Sequence, residues 1–331
     1  PKSASYGGVP RLRISSQALK RAARLSNTMQ TDLKGHLGDR TQRIGEVIRD
    51  TLRSEGVAED AAGDIAEKVT DVFGKIDETA KKDGKIRTRQ LAFISPEERE
   101  AAIELARTAA AGEALPDTKQ LKKTILRTAD GAADVAMFGR MLADDPDFNR
   151  EAAVQVSHAL TTHRALVEDD FYTAVDDLKH PSEDAGAGFV GEAGFGSGVF
   201  YTYACVDVDL LKENLGGEAE LAATAAAALA EALAVSTPSG KRNSFAHQTR
   251  ASFIRAEKGD DQPRSLAGAF LKPVEGEDPL SLSVEALNDL AAKMDAAYGL
   301  SGHAPALLDV EQGVGTLADI KAYAKSAVSD G

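Results

Sequence analysis

Residues 11–24 constrain the fold most, because the spacing of their apolar residues changes abruptly from a strand-like to a helical pattern. This change predicts a strand that runs directly into a helix. Basic and apolar side chains alternate from Arg11 to Ile14, which indicates a short extended segment. Ser15 or Ser16 follows, and either is a good N-cap residue. The helix that follows has one face rich in alanine and leucine, which we expect to pack on a core, and a polar face on the other side. At a helical spacing of about 100° per residue, the polar face consists of Gln17, Lys20, Arg21 and Arg24.

The charge of this segment sets it apart from the rest of the chain. The 331 residues carry a formal net charge of −13, yet no acidic side chain precedes Asp32. An acidic protein with one basic end is expected to bind an anion there, and a helix N-terminus favours phosphate. The alternative is an ordinary solvated helix face, although such faces usually mix both signs of charge. The cations of the acid-free segment are Lys2, Arg11, Arg13, Lys20, Arg21 and Arg24.

The composition is that of a globular protein with one or two domains. Hydrophobic residues make up 43% of the chain and charged residues 27%. No apolar run approaches the roughly 18 residues of a transmembrane helix, and the N-terminus lacks the apolar core of a signal peptide. With Cys205 as the single cysteine, no disulfide can form within one chain. These features predict a cytoplasmic protein.

Strands and helices are predicted to mix irregularly along the chain. Helical spacing predicts helices over residues 41–54, 59–80, 95–111, from 116 onward, 221–233, 283–298 and 316–326. Alternation or short apolar runs predict strands over residues 85–94, 135–138, 152–162, 195–208, 250–257 and 304–310. The lack of regular βαβ spacing favours an α+β fold over a doubly wound sheet.

Residues 168–198 predict a protruding hairpin or a long loop. Phe171 and Tyr172 lie among acidic residues, and a proline followed by a glycine-rich run comes after them. Neighbouring residues of a strand point to opposite faces, so one ring can anchor the hairpin while the other contacts a ligand. The alternative is a surface loop with two incidental aromatic residues.

Motifs for cofactors and metals are weak. Residues 186–191 match G-x-G-x-x-G, but they follow no buried strand and precede no helix, so we reject a dinucleotide site. Lys241 and Arg242 follow a Pro-Ser-Gly turn and either contact phosphate or belong to a plain turn. The histidines form no metal set, and Cys205 fits a core position better than a nucleophile. We therefore expect no cofactor.

Four separated blocks of the sequence resemble one protein family. The blocks are residues 6–24 (YGGVPRLRISSQALKRAAR), 133–143 (ADVAMFGRMLA), 153–163 (AVQVSHALTTH) continuing through 173–178 (TAVDDL), and 238–246 (PSGKRNSFA). In this order they are similar to the CasC-type (Cse4 family) backbone subunit of type I-E Cascade, the CRISPR surveillance complex. Four blocks that run from end to end of the chain are far more specific than one motif.

The resemblance implies an RRM-like (ferredoxin-like) palm, formed by residues 1–34 and 151–331. It also implies a helical fingers insertion over residues 35–150 and a β-hairpin thumb over residues 167–198 that lies over RNA. The family has a strand and a polar loop ahead of Tyr6. No strand is predicted before Tyr6 in this sequence, so we expect such a strand to precede Pro1 in the natural protein.

The resemblance also assigns residues to a non-enzymatic role in antiviral defence, in which copies of the subunit line up along one CRISPR RNA. Phosphate contacts are implied for Lys20, Arg21 and Arg24, and contacts to the RNA backbone for Ser15 and Gln17. Met141 is expected against bases, and Phe171 and Tyr172 occupy the thumb position that breaks the base stack. Further predicted contacts are Arg13, Lys241 and, as a weaker candidate at the edge of the sequence, Lys2. An insertion around residues 180–186 departs from the family pattern and leaves the contacts of the thumb tip open.

The implied partners are the CRISPR RNA, the target DNA strand paired to it and further copies of the chain. Other Cascade subunits complete the set: the large subunit, the small subunit, the subunit that caps the 5′ handle of the guide, and the endoribonuclease that processes the guide. Whether the lysines of the helix after residue 116 contact DNA stays open; they are Lys119, Lys122 and Lys123.

Two other functions remain possible from the sequence. One is a metal-dependent ribonuclease that uses the thumb carboxylates Asp169, Asp170 or Asp176. The other is a housekeeping RNA-binding protein of RRM-like fold. Against the second function, the sequence holds no aromatic run of the kind that stacks bases in RRM domains.

Overall fold

A computed structural model describes residues 1–142, 145–174, 177–178, 189–300 and 304–329. The strands are β1 (Lys2–Tyr6), β2 (Val9–Ile14), β3 (Asp39–Thr41), β4 (Ala92–Ile94), β5 (Val154–Val156), β6 (Ala159–Thr161), β7 (Glu168–Ala174), β8 (Phe189–Phe195), β9 (Phe200–Tyr201), β10 (Ala204–Val206), β11 (Phe253–Ala256) and β12 (Ala306–Asp309).

The helices, α1 to α13, are Ser16–Arg24, Asn27–Asp32, Ile44–Ser54, Glu59–Thr70, Glu78–Lys82, Pro96–Ala110, Thr118–Ile125, Ala133–Phe138, Val208–Asn214, Ala219–Val235, Arg242–Phe245, Pro279–Tyr298 and Leu317–Ser329. This mixture of helices and small antiparallel sheets confirms the predicted α+β class.

The chain divides into two compact units. The first unit contains residues 1–20, 156–204 and 259–304, and the second contains residues 21–155, 205–258 and 305–331. Helix α1 begins in the first unit and ends in the second.

The first unit is built on a four-stranded antiparallel sheet in the order β1-β2-β6-β9. Leu12 and Ala159 are buried in it, and so is Arg11. The Arg11 guanidinium donates to the carbonyl oxygens of Thr161 at 3.0 Å and Phe270 at 2.8 Å. Burial lowers the pKa of Arg11, but these carbonyl acceptors satisfy its donors. Arg11 is therefore a core residue, although it belongs to the basic segment in which an anion site was expected.

The core of the second unit is helical. Helices α3, α4, α6 and α7 bury one apolar cluster that includes Ile48, Val69 and Ile125. Helix α6 begins with the predicted cap: Ser95 accepts from the backbone N–H of Glu98, and the Glu98 carboxylate accepts from that of Ser95. Helix α10 is rich in buried alanine and packs against α2 and α13. Its small side chains allow these helices to approach closely.

Several predicted elements differ from those observed. Strand β1 lies directly before Gly7-Gly8, where the sequence analysis predicted no strand, and it pairs with β2 from Lys2 opposite Arg13 to Tyr6 opposite Val9. Residues 135–138 form helix α8 and not a strand. Helix α4 ends at Thr70, well short of residue 80, and within 85–94 only Ala92–Ile94 is a strand.

Candidate nucleic-acid interface

The start of α1 matches the prediction. The Ser15 carbonyl accepts from the N–H groups of Ala18 at 2.9 Å and Leu19 at 3.1 Å, which places Ser15 at the N-cap position. Ala23 is buried on the apolar face. On the polar face, Gln17 and Arg21 are exposed and Lys20 is half-buried. The helix thus presents the predicted polar residues beside its N-terminus.

Arg24 lies on the same helix but has structural partners in the second unit. Its Nε donates to Asp134 Oδ2 at 2.7 Å and its Nη2 to the Gly38 carbonyl at 2.6 Å. The guanidinium also stacks on Phe93, 4.7 Å from the ring centroid. The carboxylate of Asp134 is fully buried and also accepts from the Gly38 N–H at 2.7 Å. The phosphate contact predicted for Arg24 remains untested. The observed contacts of Arg24 support a structural role, in which it holds α1 to α8.

Replacing Arg24 with methionine should therefore destabilise the fold by roughly 3–5 kcal/mol at neutral pH, as when one partner of a buried ion pair is removed. Burial raises the pKa of Asp134, and Arg24 opposes that rise. A carboxyl group with a raised pKa contributes stability at low pH and loses it as the pH rises through that pKa. Without Arg24 the pKa rises further, so the loss should grow from acidic to neutral pH.

Urea denaturation of wild type and Arg24→Met across this pH range measures the effect. The double variant Arg24→Met with Asp134→Asn is the control, because it has no carboxyl group to titrate at this position. A deficit of equal size at acidic and neutral pH would contradict the assigned role of the pair.

The register of β1 and β2 brings two predicted contacts together. Lys2 lies directly opposite Arg13, so both side chains are on the same face of the sheet in the first unit. Like charges at directly opposed positions destabilise a sheet unless an anion lies between them. Lys2 is exposed, and Arg13 Nη1 lies 3.0 Å from His158 Nδ1. Neither this pairing nor the position of His158 was predicted from the sequence.

The aromatic residues of the predicted thumb lie on a two-stranded hairpin formed by β7 and β8. Tyr172 is opposite Gly191, and its ring lies 6.1 Å from that of Phe189. A Cβ atom at Gly191 would come within 2.5 Å of the Tyr172 ring, so this glycine makes room for the ring to lie across the hairpin. Phe171 points to the other face, opposite Glu192, and is 70% exposed.

Met141 is 80% exposed in the second unit and directly follows a residue with many hydrogen bonds. The preceding residue, Arg140, is buried, and its guanidinium donates to Glu98 at 2.6 Å and to the Arg127 carbonyl at 2.8 Å. The backbone of Arg140 also bonds in both directions to that of Arg150. Met141 is therefore a flexible apolar side chain that lies exposed beside the well-bonded Arg140.

Lys241, a predicted contact, is exposed and lies within a longer stretch without acidic residues that was not predicted. No acidic residue occurs from Ala232 to Ala256, a signal that reading the charges along the chain would have found. Lys241 and Ala246 bracket the short helix α11, and both have positive φ angles, of 59° and 45°. Such angles are uncommon for residues other than glycine and are found preferentially at functional sites.

The residues of the ribonuclease alternative do not converge in the part of the chain that the structure describes. Asp169 and Asp170 are exposed neighbours on β7 and point to opposite faces, whereas Asp176 and the insertion at 180–186 lie outside the described residues. Among the described residues, no three His, Cys, Asp or Glu side chains are placed to bind one metal ion. None of the described helices has the length and apolar character needed to cross a membrane.

Comparison with known proteins gives one family and many solved structures of similar fold, including the two that follow. The family described as CT1975-like protein matches residues 1–329. A chain of a solved structure described as "CRISPR RNA-guided surveillance complex, pre-nicking" is 31% identical, with a TM-score of 0.84 over 99% of this chain and 94% of that chain. A chain of a "CRISPR RNA-guided surveillance complex" is 27% identical, with a TM-score of 0.71 over 100% and 93% of the two chains. A search of curated proteins gave no match.

Proposed function

Because the chain belongs to the CT1975-like protein family, we propose that it is an RNA-binding backbone subunit of a Cascade-type CRISPR surveillance complex. The observation that carries the proposal is the similarity, over nearly the whole length of both chains, to a chain of an RNA-guided surveillance complex. The finer proposal is a CasC-type subunit of a type I-E complex, with an RRM-like palm. Its partners would be the guide RNA, the target DNA strand, further copies of itself and the other Cascade subunits.

The arrangement of cations supports binding to the sugar–phosphate chain. Lys20 and Arg21 lie on the polar face of α1, and Lys2 faces Arg13 across β1 and β2. Contacts to phosphates give affinity without sequence preference and leave the bases of a guide available for pairing. A basic segment within a chain of net charge −13 would confine that affinity to one part of the surface.

Fluorescence anisotropy with labelled single-stranded RNA tests this proposal. We expect affinities that depend little on base sequence and fall steeply as salt rises. The non-catalytic part of the proposal is tested by incubating the same RNA with the protein and Mg²⁺. Cleavage that disappears with Asp169→Asn or Asp170→Asn would favour the ribonuclease instead.

The two thumb aromatics should differ in their effect on RNA. Tyr172 is anchored against Phe189 over Gly191, whereas Phe171 is exposed on the other face. Phe171→Ala should therefore weaken RNA binding by roughly 1–3 kcal/mol per stacked base, the usual contribution of an aromatic ring. Tyr172→Ala should mainly loosen the hairpin.

A mismatch walked along the guide measures this difference in the assembled complex. If one ring per copy displaces one base, mismatches at regularly spaced positions should be tolerated, and Phe171→Ala should remove that periodicity. A smooth mismatch profile in wild type would reject the stacking role for both rings. If the periodicity were lost in Tyr172→Ala and kept in Phe171→Ala, then Tyr172 would be the residue that stacks on RNA and Phe171 the one that anchors the hairpin.

A further inference from the structure

The first unit contains a histidine whose nitrogen faces two hydrogen-bond donors. His158 Nδ1 lies 3.0 Å from Arg13 Nη1 and 3.2 Å from the backbone nitrogen of Ser16, the first residue of α1. His158 directly precedes β6, whose Ala159 pairs with Ile14 of β2. The side chain is exposed, so its ring is held by these bonds and not by burial in a core.

The two donors determine the tautomer of the His158 ring. A backbone N–H and a guanidinium can only donate, so His158 Nδ1 must offer its lone pair to both. The neutral ring then carries its hydrogen on Nε2. If Nδ1 carried the hydrogen, it could not accept a hydrogen bond, and both bonds to His158 would be lost.

The position of Arg13 indicates that the acceptor on His158 orients the Arg13 side chain. Arg13 lies directly opposite Lys2, and a free guanidinium would turn away from that like charge. The bond to His158 restricts the long side chain of Arg13 to one direction, at the junction where β2 ends and α1 begins. Less conformational entropy is then lost when the guanidinium contacts a ligand.

We propose that His158 is a positioning residue that holds Arg13 ready to contact a phosphodiester of single-stranded RNA, with Lys2 contacting the same stretch of backbone. The inference rests on the proposed function, because it names how one phosphate contact of that function is prepared. His158 acts through Arg13 and not through a contact of its own.

Four variants test the inference, each measured by anisotropy with labelled single-stranded RNA over a range of salt concentrations. His158→Leu places a methyl group where Nδ1 lies, and it should weaken binding by roughly three- to tenfold, the size of one lost hydrogen bond. It should also lower the log–log salt slope by roughly 0.7, the value for one phosphate contact on a single strand. His158→Asn is the matched control, because its Oδ1 occupies the position of Nδ1 and accepts hydrogen bonds, so it should restore affinity and slope.

Arg13→Gln and the double variant Arg13→Gln with His158→Leu complete the cycle. If His158 acts only through Arg13, the double variant should bind no more weakly than Arg13→Gln alone. Because His158 is exposed, we expect all four variants to unfold at the wild-type temperature.

The outcomes separate this inference from the function on which it rests. Wild-type protein that binds no RNA would overturn the proposed function and the inference together. RNA binding that is intact in His158→Leu, additive losses in the double variant, or an equal loss in His158→Asn and His158→Leu would each overturn the role of His158 alone. Arg13→Gln with wild-type affinity would overturn the role of Arg13 and therefore of His158.

Discussion

The double variant Lys20→Glu with Arg21→Glu is expected to bind single-stranded RNA at least roughly a hundredfold more weakly than wild type, because each of two charge-assisted contacts contributes about 1.5–3 kcal/mol. The two side chains lie side by side on the polar face of α1, away from buried Ala23. Reversing them places two negative charges where the RNA backbone is expected and leaves buried Ala23 unchanged. The variant should therefore remain folded, with the unfolding temperature of wild type.

The salt dependence of the remaining affinity identifies the lost contacts. Loss of two phosphate contacts should reduce the log–log slope by about 1.4, at roughly 0.7 per contact on a single strand. The matched control is Lys68→Glu with Lys82→Glu, which changes the net charge equally at exposed positions of α4 and α5. An equal loss of affinity in the control would show that net charge, and not the α1 face, governs binding.

Helix α1 also shows how far the sequence could predict the site. The period of residues 15–24 predicted the cap, the helix and its polar face, because these depend on spacing within one segment. It could not distinguish Arg21 from Arg24, which have the same charge on the same face. The partner of Arg24 is Asp134, more than a hundred residues away along the chain, and only folding of the second unit brings the two together.

The errors in the predicted elements have similarly local causes. Lysine, serine and alanine in β1 have weak strand preferences, so the segment was not predicted. The signal that could have found it is Gly7-Gly8: both residues have positive φ angles, and a two-residue glycine turn is typical of a hairpin. Residues 135–137 are fully buried, and a short apolar run cannot distinguish a strand from a helix by its period.

The β7–β8 hairpin is the element that most needs a contact with another molecule for its stability. In the described residues its two strands bond to each other and to no third strand, and every residue of β7 is exposed. An isolated two-stranded hairpin is only marginally stable in water. Phe171 and Val190 on one face of it and Phe189 on the other are more than half exposed, so each face carries apolar side chains that a neighbouring molecule would cover. These features support a hairpin that docks on RNA and on a further copy of the chain.

Removal of this hairpin is therefore expected to abolish RNA-dependent assembly while leaving a folded monomer. Glu168 lies directly opposite Phe195, so a short Gly-Ser linker can join Val167 to Gly196 without moving either end far. Sedimentation with RNA of increasing length should show wild-type assemblies that grow stepwise and a hairpin-deleted variant that binds RNA as separate monomers. Phe171→Ala is the control, because it keeps both strands and should still assemble with weaker affinity. Length-dependent assemblies without the hairpin would mean that a surface outside β7 and β8 couples the copies, and that the exposed aromatic residues of the hairpin are dispensable for that contact.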